Sequence, residues 1–101
     1  MPAPSQNGIR QQAEFLAQQN RQSDPAIQEV FWFPHSDEVR LVETSPEVPA
    51  SDDLEIHPFY FRPAPQENLP APSAIALIRP DEVRQARLPD GWGHWNDAVA
   101  L

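Results

Sequence analysis

The chain has 101 residues, 15 of them acidic and seven basic, a formal net charge of −8 and no cysteine. Its length allows one domain with a modest core, and the missing cysteine excludes a disulfide framework, a thiolate metal site and a cysteine nucleophile. Every basic residue is Arg, which also excludes a Schiff-base lysine and a phosphate-loop lysine.

Residues 1–8 hold Pro2, Pro4, Ser5, Asn7 and Gly8 and read as a disordered tail. Residues 9–101 read as a single domain. From 9 to 22 there is neither Pro nor Gly, and Ile9, Ala13, Leu16 and Ala17 fall on one helical stripe. The spacing predicts a helix with Asn7 as a cap and Asp24-Pro25 as its end, leaving Phe15 off the stripe. Residues 26–33 are dense in β-formers. Pro34-His35-Ser36-Asp37 is turn chemistry, and residues 38–44 alternate polar and apolar. This predicts a hairpin with a four-residue loop, Phe33 opposite Glu38. Val30, Trp32, Val39 and Leu41 then share an apolar face. Phe31, Phe33, Glu29, Arg40 and Val42 share a semi-polar one, of the kind a sheet turns toward solvent or a partner.

Residues 45–55 form a predicted loop. From Glu43 to Glu55 there are five acids and no base: Glu43, Glu47, Asp52, Asp53 and Glu55. A third strand is expected over 56–62, with Pro58 demoting it to an edge. Pro63, Pro65, Pro70 and Pro72 mark a stiff loop. The run 74–79, apolar on both faces, suits a buried central strand. Pro80, with Asp81 and Glu82 behind it and Arg84 and Arg87 further on, predicts a short helix near 80–87. Pro89-Asp90-Gly91 is a turn, and Trp92-Gly93-His94-Trp95 follows. The expected fold is α+β, a small antiparallel sheet of about four strands with an N-terminal helix and a short C-terminal helix.

Catalytic motifs are absent from the sequence: it has no GxSxG, HExxH, phosphate-loop or dinucleotide fingerprint. His35, Ser36 and Asp37 are consecutive, and consecutive residues rarely achieve triad geometry. Asp52-Asp53 reads as solvated, and Asp81-Glu82 as complementing a helix start. His35, His57 and His94 lack metal-ligand spacing. We therefore expect no catalytic residue, no metal and no cofactor. The absence of a basic run argues against direct nucleic-acid binding. An anionic membrane surface would repel the chain, and no apolar run approaches a bilayer span of roughly 18–20 residues. The start of the sequence lacks the pattern of a signal peptide, so the expected compartment is the cytoplasm.

The favoured reading is a small, acidic, non-enzymatic protein-interaction or regulatory protein whose partner is basic. Phe31, Phe33, Arg40, Trp92 and Trp95 are the expected contact residues, residue types enriched at interfaces. The acids at 43, 47, 52, 53 and 55 would steer the partner. One alternative is a small-molecule-binding domain or enzyme with a pocket near the aromatic strands, built on Arg40, His57, Tyr60 and His94. Another is a structural subunit of an assembly.

Overall fold

The computed structural model describes residues 6–34, 37–50, 52, 59–62 and 71–101. Helix α1 spans Gln6–Ser23, beginning three residues before the expected start. Its predicted stripe of Ile9, Ala13, Leu16 and Ala17 is buried, and Phe15 is exposed. Asp24 closes it: its carboxylate accepts the Ala26 N–H at 3.1 Å and its carbonyl the Ile27 N–H at 3.2 Å.

Five strands follow among the described residues: β1 Val30–Trp32, β2 Val39–Thr44, β3 Tyr60–Arg62, β4 Ser73–Ile78 and β5 Val99–Ala100, in the spatial order β3-β4-β2-β1-β5. The fold is α+β as expected, but the sheet is mixed rather than antiparallel. β4 lies between β2 and β3, parallel to the first and antiparallel to the second. Its double-sided apolar pattern called for a central place and gets one; hydropathy carries no information on strand direction. β5, too short to leave a periodic signal, is the strand the sequence reading omits.

The hairpin register also differs. Phe31 pairs with Val42 and Trp32 with Leu41, and the Phe33 N–H donates to the Arg40 carbonyl at 3.0 Å. A longer connection moves the pairing by two residues from the expected one. An even shift leaves every side chain on its face. Val30, Trp32, Val39 and Leu41 therefore do project together, with Ile75, against α1.

The other face was expected to be semi-polar. Instead Phe31, Phe33, Val42, Ala76 and Ile78 are covered by the C-terminal segment through Ala86, Leu88 and Trp92. The short helix near 80–87 is a single 3₁₀ turn, Pro80–Glu82. Val83 is already extended, and Arg84 takes a φ of 70°, a left-handed conformation unusual outside glycine. The chain leaves the helical path there and lays Ala86 and Leu88 on the sheet. A second 3₁₀ turn, Trp95–Asp97, precedes β5.

One side chain ties helix to sheet. Gln12, buried on α1, donates from Nε2 to the Ala71 carbonyl at 2.7 Å and accepts the Ala71 N–H through Oε1 at 3.1 Å. This satisfies both backbone groups of Ala71, two residues before β4 begins.

Candidate functional site

The five expected contact residues are brought together, but as packing. The Phe33 ring meets Trp92 at 5.9 Å and Trp95 at 5.7 Å edge-on, and Phe31 meets Trp95 at 6.1 Å. The Trp95 Nε1–H donates to the Ala86 carbonyl at 2.7 Å, and the Arg40 guanidinium donates to the Gly91 carbonyl. Gly91 and Gly93, at φ of 86° and 88°, make the turns that fold both indoles back. Phe31, Phe33 and Trp92 are 5%, 1% and 8% exposed, so their rings face the protein's own interior.

The acidic set is divided. Glu43 lies in β2 and is fully buried, whereas Glu47 and Asp52 are exposed. Asp53 and Glu55 fall outside the described residues. The sequence grouped Glu43 with the loop. By parity it belongs with Val39 and Leu41 on the α1 face, and Asn20 continues the helix stripe toward it. The Asn20 amide donates to Glu43 Oε2 at 2.7 Å, and Arg62 of β3 approaches Oε1 at 3.6 Å. Burial pushes the Glu43 carboxyl above its ordinary value. The Asn20 hydrogen bond and the Arg62 charge act against that push, nearby Asp24 adds to it and Arg21 opposes it.

Arg62 also pairs with Asp24 at 3.4 Å. Because α1 stops at Ser23, no helix among the described residues covers the sheet beyond it on this side. Tyr60 opposes Leu77 and Arg62 opposes Ile75, so all four share the α1 face. A depression of about 300 Å³ results, lined by Asp24, Glu47, Val48, Pro49, Tyr60 and Arg62. Glu43 has no exposed surface; its role is to hold Arg62 from behind. The depression thus offers solvent two carboxylates and a phenol over an apolar wall, with its own cation tethered.

The residues of the alternative pocket do not converge. Tyr60 is on the α1 face, Arg40 on the opposite one, and His94 is exposed beside Trp95. His57, His35 and Ser36 lie outside the described residues. Asp81 is paired with Arg79 at 3.0 Å. Among the described residues no three His, Cys, Asp or Glu side chains gather to hold a metal ion, and no helix is long and apolar enough to cross a membrane. Comparison with protein-family models, with curated proteins and with solved structures finds no match to this chain.

Proposed function

We propose that the chain is a small acidic, non-enzymatic interaction protein that seats a basic segment of a protein partner in the depression at the end of α1. The observation that supports this reading is the pairing of Asp24 and Glu47 with Tyr60, Val48 and Pro49 around one concavity. A guanidinium or ammonium head needs an anionic rim, and its aliphatic stem needs an apolar wall. The net charge of −8 adds long-range attraction for such a partner.

An NMR titration with a short peptide carrying two adjacent Arg residues tests the reading. Resonances of Asp24, Glu47 and Tyr60 should move first. Affinity should fall about ten-fold from low to high salt, and Glu47→Lys should abolish the effect at these residues. Shifts spread evenly over all exposed carboxylates, or affinity indifferent to salt, would reject it.

A further inference from the structure

The opposite edge of the sheet carries a second concavity of different chemistry, and it stands independently of the reading above. β5 pairs with β1 on one side and, among the described residues, is the last strand of the sheet on the other. The Leu101 N–H donates to the Val30 carbonyl at 2.9 Å, and Ala100 sits opposite Phe31. In an antiparallel ladder successive residues direct their backbone groups to alternate sides. The N–H and C=O of Ala100 therefore point away from β1, toward the open edge.

Beside that edge runs a groove of about 430 Å³, walled by Arg10, Glu14, Ala17, Gln18, Arg21 and Gln22 of α1 and by Ala100 and Leu101. Arg10, Glu14, Ala17 and Arg21 recur at intervals of three and four, so they share one helix face that borders the buried stripe at Ala17. Their stretch of helix is about 18 Å long, the length of roughly five extended residues. The floor is apolar and the ends are cationic. Arg21 makes no hydrogen bond or ion pair with any described residue. Arg10 pairs with Glu14 at 3.1 Å, but both side chains are about half exposed, and a pair of that kind holds its partners weakly. On a chain so acidic overall, two arginines against the one carboxylate of Glu14 leave the groove with a local positive excess, beside backbone groups of Ala100 that pair with no described residue.

We propose that the β5 edge receives an extended, acid-bearing segment of a partner protein by strand addition. The segment's main chain pairs with Ala100, and carboxylates about four residues apart reach Arg10 and Arg21. Strand addition draws affinity from main-chain hydrogen bonds and selectivity from alternate side chains. Carboxylates at positions one and five of a strand fall on one face, matching the two Arg residues.

The test uses three blocked, fluorescently labelled pentapeptides: Glu-Val-Thr-Val-Glu, its Lys-for-Glu counterpart, and the Glu peptide with its central amide N-methylated. The Glu peptide should bind at least about ten-fold more tightly than the other two. Arg21→Glu should erase or reverse the Glu-over-Lys preference, and the milder Arg10→Gln should weaken it. Exchange of the Ala100 amide should slow on binding. Several results would overturn the proposal: no binding of the Glu peptide, equal affinity for Glu and Lys peptides, indifference to Arg21→Glu, or an Ala100 amide that exchanges as before. A mass that doubles with concentration and is unchanged by the peptide would give this edge to a second copy instead, and would overturn it too.

Discussion

Glu43 concentrates the physical tension of the molecule in one side chain. Its carboxyl is fully buried and raised above the ordinary value of 4.5, chiefly by that burial. The folded state thus holds the proton more tightly than the unfolded chain does. The stabilisation linked to that proton is complete below 4.5 and is lost as pH rises through the folded value. Glu43→Gln keeps an acceptor for the Asn20 amide and removes the ionisation. In urea unfolding followed between pH 4 and 7, the variant should gain on the wild type as pH rises, and the gap should level off below 4.5. A gap independent of pH would mean the group ionises equally in both states. Glu43→Ala should cost about 3 kcal/mol, because it leaves Asn20 and Arg62 facing an empty buried space. The position of Glu43 was legible in the alternation of residues 38–44, since parity places it with Val39 and Leu41. What hid it was the run of acids following it, which drew the reading toward a solvated loop.

Among the elements, α1 and the hairpin were legible because both carry a period: 3.6 residues in one, two in the other. The faces survived even where the register did not. The segment after β4 was misjudged for the opposite reason. Pro80, Asp81 and Glu82 are sound helix-start signals, but burying Ala86, Leu88 and the two indoles outweighs the few hydrogen bonds a longer helix would add. Arg84 accepts a left-handed backbone and places its guanidinium 5.9 Å above the Phe31 ring. Gln12 is one of several glutamines in α1, and nothing in the sequence sets it apart from the others. It is the link between α1 and the approach to β4. Gln12→Ala leaves the buried N–H and C=O of Ala71 without partners and should destabilise the protein by about 2 kcal/mol, seen as a lower urea midpoint. Amide exchange should accelerate at Ala71 before it does in β2. Exchange that speeds uniformly would show that the clamp serves overall stability rather than this junction.

The sheet separates two concavities onto opposite edges, one with Asp24 and Glu47 beside β3 and one with Arg10 and Arg21 beside β5. The aromatic layer that the sequence offered as a binding surface became the second core, because the two indoles lie beyond glycine turns that return them to the sheet. No local pattern announces that return, since it joins β1 to residues near the far end of the chain. The same long-range closure has a further consequence. Val30-Phe31-Trp32-Phe33 is an apolar, β-prone run with neither charge nor proline, the type of segment that seeds intermolecular stacking when its edge is bare. β2 protects one side of it early, being its hairpin partner. The other side is shielded only when β5 arrives and pairs with it. Two residues thus act as a cap on a latent nucleus of aggregation. Val99→Asp, which should unseat them, is expected to raise light scattering and thioflavin fluorescence at concentrations where the parent protein stays clear.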